Sequence, residues 1–402
     1  MQMSLLMIGN ASVGVMVERA RLAEAVGYNV VWLADERFYR EVYACLAHFA
    51  ACTSKVLLGP CVTDPFSRHP ALTAMAIATL DEISGQRAIL GVGAGISGFT
   101  ELGINRRKPA LAIREMIEVI RALLRGESVE FHGEVIEFHE GRLSFVPTRS
   151  AVPIYVASNG PLGQRVAGAV GDGGIMEACA CVSEAEAFIA EVAAGAAQVG
   201  RDPKSIKKIA RLNTCIAPKG SAARNAVRPM VARYLGAGRL RSKTLKEQGL
   251  ELPAEAMQAV AGSPYSAGVT PYLPLLPLIT NRHVNALTLA GTIEEVIEHV
   301  VVLARAGIDE IIIRPFAPLP ARSQACRRLC GHGWHRPQSR WRRWQNLPRR
   351  PVLPACIGSP PLQTCDGTER FPESARGGSW KRSNGREPRR QAPTGRTTGR
   401  PD

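Results

Sequence analysis

Residues 30–37 read Val-Val-Trp-Leu-Ala-Asp-Glu-Arg, five apolar side chains followed directly by three charged ones. A continuous apolar run is typical of a parallel β-strand that is buried on both faces. The acidic pair Asp35 and Glu36 would then stand at the carboxyl end of the strand, where parallel α/β folds place their ligand sites. This stretch therefore predicts an α/β protein with a site at its strand ends.

The same unit, a short apolar run followed by an amphipathic one, recurs over about the first 320 residues. Besides Val30–Ala34, we predict strands at Ser4–Ile8, Val56–Val62, Ala88–Val92, Ile154–Ala157, Gly174–Met176, Ile209–Ala217 and Asp309–Arg314. The intervening helices are predicted at Val13–Val26, Glu41–Cys52, Pro70–Ile83, Leu111–Leu124, Leu162–Ala169, Glu184–Val199, Ala222–Leu235 and Ile293–Ala306. No Gly-x-Gly-x-x-Gly follows the first strand, so the pattern favours a (β/α)8 TIM barrel with insertions over a doubly wound open sheet.

Two segments interrupt the alternation of strands and helices. Residues Glu127–Phe145 favour a small β excursion. Residues Gly236–Leu289 hold a helix candidate near Ala254–Ala261 and a proline-rich stretch, Pro264–Pro277. We predict an insertion here, of the kind that often shapes or covers a site.

Basic charge is concentrated after Ala321. Residues 322–402 hold 17 Arg and one Lys against five acids, while the whole chain has a formal net charge of +15, so residues 1–321 are close to neutral. The tail is rich in Arg, Pro and Gly and lacks a hydrophobic period, so it cannot bury enough apolar surface to fold alone. We predict a barrel domain over 1–321, and over 322–402 a disordered tail or the product of a shifted reading frame.

Composition also narrows the function classes. The sequence has neither a stretch of 18 uncharged apolar residues nor a basic amino-terminal region before an apolar one, so we expect no membrane segment or secretory signal and a cytoplasmic protein. Arg and Trp intermix in the tail, which suits nucleic acid. Because the predicted barrel is close to neutral, nucleic-acid binding through the tail is a secondary hypothesis. Cys326, Cys330, His332 and His335 match no structural zinc spacing, and we assign no metal ligand.

Two predicted strand ends carry loops that could hold a ligand. The first is Cys61-Val62-Thr63, within Leu58–Pro70, whose backbone could face a flat ligand. The alternative is an ordinary loop with an Asp64-Pro65 turn and His69 beside the helix start. The second is Gly91–Gly95, where Gly93 and Gly95 would let the backbone approach a ligand, or would form a flexible turn.

A third candidate loop is Ser158-Asn159-Gly160, between the fifth strand and a helix. Free N–H groups at the start of a helix suit a phosphate group. The alternative is ordinary capping of that helix by Ser158 or Asn159. Cys179-Ala180-Cys181 has the wrong spacing for a redox pair and is interpreted as packing.

Four of these stretches together resemble a known family. They are Trp32–Arg37, Val62–Pro70, Ala78–Ser84 and Leu90–Gly95. They are similar to the bacterial luciferase-like superfamily, and most similar to its coenzyme F420-dependent methylenetetrahydromethanopterin reductase-like members. The resemblance spans about residues 1–320 and stops where the basic tail begins.

The resemblance implies a (β/α)8 barrel with F420 or FMN at the strand ends. Cys61-Val62 would be the bulge that backs the central ring, a position at which F420-dependent members have a non-prolyl cis peptide. Gly93 and Gly95 would line the cofactor. Ser158, Asn159 and Gly160 would hold its phosphate. Thr63 continues the bulge, and we include it among the cofactor-binding residues.

From the resemblance we predict hydride transfer between F420, or reduced flavin, and a small organic substrate, in a homo-oligomeric enzyme. Glu36 would donate or accept the proton, with Asp35 orienting it. With FMN the reaction would become monooxygenation, and a catalytically idle flavin-binding protein is a further alternative. Two positions depart from the pattern: Glu36 replaces a His of many relatives, and Ile96 replaces an acid of several reductases.

Overall fold

The computed structural model describes residues 1–95, 97–238, 243–263 and 267–317. The predicted boundary at residues 321 and 322 and the basic tail lie outside these residues. So do the tail's four cysteines and the nucleic-acid hypothesis that depends on it. Ile96 also lies outside them.

Most strands of the described residues belong to one parallel sheet. In chain order the strands are β1 (Gln2–Met7), β2 (Val30–Leu33), β3 (Leu57–Pro60), β4 (Leu90–Gly93), β5 (Val129–His132), β6 (Glu137–Gly141), β7 (Ile154–Ala157), β8 (Gly173–Glu177), β9 (Lys207–Ile216), β10 (Thr288–Gly291) and β11 (Glu310–Pro315). Eight of them follow the order β3-β2-β1-β11-β9-β8-β7-β4, and β10 pairs with β9. Strands β5 and β6 form a separate antiparallel hairpin.

The sheet curves round so that its first and last strands meet. Parallel bridges join Leu58 to Ala88 and Thr63 to Val92, and so connect β3 to β4. The predicted (β/α)8 barrel is therefore confirmed. The doubly wound alternative is wrong, because an open sheet would leave β3 and β4 as separate edges.

Helices surround the barrel. They are α1 (Val13–Ala25), α2 (Val42–Cys52), α3 (Pro70–Ser84), α4 (Pro109–Leu124), α5 (Pro161–Val170), α6 (Val182–Ala197), α7 (Gly220–Gly236), α8 (Lys243–Glu247), α9 (Ala254–Ala259), α10 (Asn281–Leu287) and α11 (Ile293–Arg305). The predicted capping box of α11 is present, with Thr292 and Glu295 bonded reciprocally. Of the helices that the structure describes, none is long and apolar enough to cross a bilayer.

The barrel interior is a small apolar cluster above a polar base. Leu6, Trp32, Ile209 and Ile312 are among its buried members. Below them, the fully buried Glu310 accepts hydrogen bonds from Ser4 and, at 3.0 Å, from Lys207 Nζ. The interior is therefore filled at the amino-terminal ends of the strands, which leaves the carboxyl ends for a site.

The described residues of the insertion predicted at Gly236–Leu289 pack on α7. Leu245, Leu250, Tyr272 and Leu275 share a buried cluster with that helix. Helix α10 and strand β10 were not predicted, because each is short and follows the prolines of the 3₁₀ segment Thr270–Leu278. Only tertiary pairing with β9 makes residues 288–291 a strand.

One charged side chain, Glu24, fixes the loop that precedes β3. The Glu24 carboxylate accepts from the backbone N–H groups of Ser54, Lys55 and Val56 at 2.7–2.9 Å. Desolvation raises the pKa of Glu24, but these hydrogen bonds outweigh it and lower the pKa to about 2. Glu24 thereby ties α1 to the chain that enters β3.

Candidate active site

A cavity of about 1160 Å³ opens at the carboxyl ends of the strands. Its lining includes Asp35, Glu36, Cys61, Val62, Gly95, Ser158, Asn159 and Gly160, which are eight of the ten predicted site residues. The volume slightly exceeds the usual range for small-molecule sites, about 300–1,000 Å³. The cavity can therefore hold a large cofactor together with a substrate.

The end of β2 supplies two acids in different surroundings. Asp35 is largely buried, and desolvation raises the pKa of its carboxyl group, an effect that Arg68 partly opposes. Its Oδ2 lies 3.9 Å from Arg68 Nε. Glu36 is half-buried on the cavity wall. Asp35 therefore has a basic side chain, Arg68, close to its carboxyl group.

The tip of β3 presents main chain to the cavity. The peptide bond between Cys61 and Val62 is cis, as the resemblance implied, and both residues line the cavity. Burial raises the pKa of the Cys61 thiol to about 12, so this thiol stays protonated near neutral pH. What the tip offers a ligand is therefore its shape and backbone, with no nucleophile.

The loop after this tip is tightly held. Asp64 Oδ1 accepts from the N–H groups of Phe66 and Ser67, each at 2.8 Å, and the buried carboxylate pairs with Arg37. His69 caps α3, its Nδ1 accepting from Ala71 N at 3.2 Å. The ordinary-loop interpretation of Asp64 and His69 is therefore correct, and it coexists with a tip that faces the cavity.

Two glycines of β4 leave room for the neighbouring strand β3 and its tip. A Cβ on Gly91 would lie 2.5 Å from the Pro60 carbonyl oxygen, and one on Gly93 would lie 2.7 Å from Val62 Cγ2. Gly95 has a φ of +62° and does line the cavity, beside Ala94. Two of the three glycines are therefore required by the close approach of β3 and β4.

Thr63 and Gly93 are the two predicted site residues that stand behind the cavity wall. Thr63 is fully buried and pairs with Val92 across the barrel closure. The missing side chain of Gly93 leaves room for Val62. Both residues support the tip of β3 from behind, which sequence spacing alone does not distinguish from contact with a ligand.

The loop between β7 and α5 leaves the start of α5 open. Gly160 is the N-cap residue of α5 and makes no side-chain capping bond. Ser158 Oγ accepts from Gly160 N at 3.1 Å, and Asn159 Oδ1 accepts from Glu177 N at 2.9 Å. Ordinary capping of α5 by Ser158 or Asn159 is therefore wrong. The first residues of the helix line the cavity, and the N–H groups of Leu162 and Gly163 have no side-chain cap there, an arrangement that suits an anion.

One ion pair in the cavity wall was not predicted from the sequence. Arg211 of β9 pairs with Glu177 at the end of β8, and both side chains are largely buried. Glu177 directly follows the apolar residues of its strand, as Asp35 does on β2, and that shared pattern could have identified it. Arg211 lies inside a long strand, where no turn or glycine marks it.

Positive charge predominates among the described residues that line the cavity. The basic ones are Arg37, Arg106, Lys108, Arg114, Arg165, Arg211, Arg233 and Arg314, and the acidic ones are Asp35, Glu36 and Glu177. Several pair with acids outside the wall, for example Arg165 with Glu191 at 2.6 Å. An excess of positive charge around a concave site attracts anionic ligands.

Comparisons with known proteins agree with this geometry. Residues 5–310 match the family model described as luciferase-like monooxygenase. A 5,10-methylenetetrahydromethanopterin reductase from Archaeoglobus fulgidus is 33% identical over 297 residues, 73% of this chain and 86% of the relative. An F420-dependent hydroxymycolic acid dehydrogenase from Mycobacterium tuberculosis is 34% identical over 224 residues, 52% of this chain and 61% of the relative.

A solved structure supports the same assignment. It is the coenzyme F420-dependent tetrahydromethanopterin reductase from Methanopyrus kandleri, with a TM-score of 0.68 and 26% identity. The match covers 78% of this chain and 92% of that chain. The predicted family and barrel fold are therefore confirmed, and with them the prediction of an oxidoreductase. The chain belongs to the luciferase-like monooxygenase family.

Proposed function

We propose that this protein transfers a hydride between coenzyme F420 and a small organic substrate. The observation that carries the proposal is the cis Cys61-Val62 tip on the wall of a cavity of about 1160 Å³. Its relatives include a methylenetetrahydromethanopterin reductase and an F420-dependent dehydrogenase, each at least 33% identical. Both support reductase chemistry with a deazaflavin.

The described residues fit such a cofactor. One face of a flat ring would rest on the main chain of Cys61 and Val62, both of which line the cavity. A phosphate group would accept from the open N–H groups at the start of α5, next to Ser158 and Gly160. When bound, the cofactor supplies hydride chemistry, and the protein supplies position and electrostatics.

Glu36 is our candidate for moving a proton during the reaction. Its half-buried carboxyl group lies on the cavity wall, next in sequence to the buried Asp35. Arg68 lies near the Asp35 carboxyl group, and its guanidinium group stacks on Tyr43, 5.0 Å from the centre of the ring. The positive charge beside this acidic pair is therefore held in place. A fixed carboxyl group beside the substrate can act as a general acid or base.

Monooxygenation with FMN is the second candidate. The description of the matching family model favours it, since that model is named for luciferase-like monooxygenases. The same tip and the same open helix start suit FMN, which also carries a flat ring and one phosphate. The two candidates differ in cofactor preference and in whether oxygen is consumed.

One experiment tests the proposal and separates the candidates. Purified protein is titrated with F420 and, separately, with FMN, and the change in absorbance of each ring is recorded. We expect saturable F420 binding at one per chain and weaker FMN binding. Preference for FMN, with oxygen uptake by the reduced complex, would replace the first candidate by the second. Binding of neither cofactor would reject both, and binding without any turnover would favour a catalytically idle relative.

We also infer a homo-oligomer in a reducing compartment such as the cytoplasm. Helix α3 exposes Leu72, Met75 and Ile83, each about half accessible to solvent and spaced along one helix face. An exposed apolar stripe of this kind is typical of a surface that binds protein. The cysteines of the described residues carry free thiols, which supports a reducing compartment.

A further inference from the structure

The β5–β6 hairpin gathers imidazole and carboxylate groups at one point of the surface. His132 of β5 stands opposite Glu137 of β6, and His139 lies two residues further along β6, on the same face. One nitrogen or oxygen from each of these three side chains lies within 4.8 Å of the other two. His132 Nδ1 lies 2.5 Å from Glu137 Oε1, and His139 Nδ1 lies 3.9 Å from the same oxygen.

The backbone beneath this group is held from two sides. The buried Glu115 carboxylate of α4 accepts from the N–H groups of Glu134, Val135 and Ile136 at 2.8–3.0 Å. The His69 ring lies 3.0 Å from the Glu137 carbonyl oxygen. The hairpin therefore presents its three side chains from a fixed frame.

A fourth side chain completes an arrangement found around metal ligands. Glu130 Oε1 lies 2.9 Å from Nε2 of His132, while Nδ1 of that ring faces Glu137. A histidine that binds a metal through one nitrogen almost always donates its other N–H to a carboxylate or carbonyl oxygen, which fixes the tautomer and the ring orientation. Glu130 offers that carboxylate to His132.

We propose that His132, Glu137 and His139 form a binding site for a first-row divalent transition metal such as Zn²⁺. Two imidazoles and one carboxylate are a donor set that suits zinc, copper and nickel better than the oxygen-seeking Ca²⁺ or Mg²⁺. Tetrahedral coordination needs ligand atoms about 3.3 Å apart. The ligand atoms now lie within 4.8 Å of one another, and the three exposed side chains can rotate to reach the tetrahedral separation. Water would fill the remaining coordination positions.

No metal ligand was predicted from the sequence, and the hairpin register explains why. The ligands come from two strands separated by a turn, so their spacing does not match the local patterns that mark structural zinc sites. The site also lies apart from the proposed chemistry, because none of its three ligands lines the cavity. Its metal would therefore be additional to the hydride-transfer cofactor.

Zinc content tests the proposal on the full chain. The wild type, the double variant His132→Ala/His139→Ala and the control His48→Ala are dialysed against the same Zn²⁺ concentration, and bound zinc is measured by mass spectrometry. His48 is an exposed histidine on α2, outside the cluster of three. We expect the double variant to hold one equivalent less than the other two. Equal zinc in all three proteins would overturn the proposal, since any zinc bound elsewhere contributes equally.

A second measurement needs no variant. Diethyl pyrocarbonate modifies accessible histidines, and peptide mapping locates the modified rings. We expect Zn²⁺ to protect His132 and His139 but not His48. Unchanged modification of all three would contradict the site.

Glu130→Gln should weaken Zn²⁺ binding by about 10–100-fold, whereas a surface cluster without a metal function would show no such dependence.

Discussion

Glu36 and Asp35 are consecutive residues with different roles in our account. Both line the cavity, but the Asp35 carboxyl group lies 3.9 Å from Arg68 Nε, and we assign the proton transfer to Glu36. Replacing Glu36 by Gln keeps the shape of the side chain but removes its ability to exchange a proton. We expect turnover to fall by about 10²–10⁴-fold, the usual contribution of a general acid or base, with little change in the cofactor's dissociation constant.

Steady-state kinetics and a cofactor titration of the same preparation measure these two quantities. The matched control is Glu101→Gln, because Glu101 is an exposed acid that does not line the cavity. Turnover of the Glu36 variant equal to that of the control would remove Glu36 from the mechanism.

Gly91 tests whether the glycines of β4 are needed for packing. An added Cβ would lie 2.5 Å from the Pro60 carbonyl oxygen, so Gly91→Ala must push the two strands apart. We expect a loss in free energy of unfolding of about 1–3 kcal/mol, the usual cost of overpacking. Gly14→Ala is the control, because a Cβ there meets nothing within 4 Å, and it should stabilise by about 0.4–1 kcal/mol.

Urea unfolding measures both variants. Equal stabilities for Gly91→Ala and Gly14→Ala would show that the strands tolerate a side chain at this position. A glycine that spares a neighbouring strand and a glycine that admits a ligand look alike in sequence, and only the fold separates Gly93 from Gly95.

At the scale of elements, the loop before β3 depends on one carboxylate of α1. The unfolded pKa of Glu24 is near 4.5 and the folded pKa is about 2. The carboxylate therefore stabilises the fold above pH 4.5, and this contribution is lost as the pH falls through about 2. We expect Glu24→Gln to cost about 1 kcal/mol at pH 7, a figure reduced for solvent screening of a partly exposed group.

Urea unfolding between pH 7 and pH 3 measures this difference. The gap between wild type and Glu24→Gln should narrow as the pH falls below 4.5. Glu18→Gln, an exposed acid on the same helix, is the control and should show no such gap. A gap that stays constant with pH would contradict the role given to the Glu24 charge.

Elements with strong periodicity were predicted well, and those that depend on tertiary pairing were not. Helix α4 and strand β7 follow their apolar patterns, with Ile154–Ala157 found at the predicted bounds. Strand β10 has four residues and exists because β9 offers it hydrogen bonds. The same distinction applies to the site. Asp35 and Glu36 were predicted because they follow the end of a strand, whereas Arg211 was not, because it lies in the middle of β9.

At the scale of the whole molecule, the exposed stripe on α3 predicts self-association. We expect the double variant Leu72→Glu/Met75→Glu to lower the molar mass in solution, because two charges in an apolar interface oppose its burial. Light scattering after size-exclusion chromatography measures the mass. Val146→Glu is the control, since Val146 is 92% exposed on a loop. A monomeric wild type, or an unchanged mass in the double variant, would contradict an interface on α3.

A crystal structure of the complex with F420 tests the central claim most directly. The measured quantity is the distance from the ring of the cofactor to the main-chain atoms of Cys61 and Val62. We predict van der Waals contact between one ring face and this tip, with the phosphate at the start of α5. A ring bound elsewhere on the barrel, or a tip separated from it by other side chains, would contradict the account.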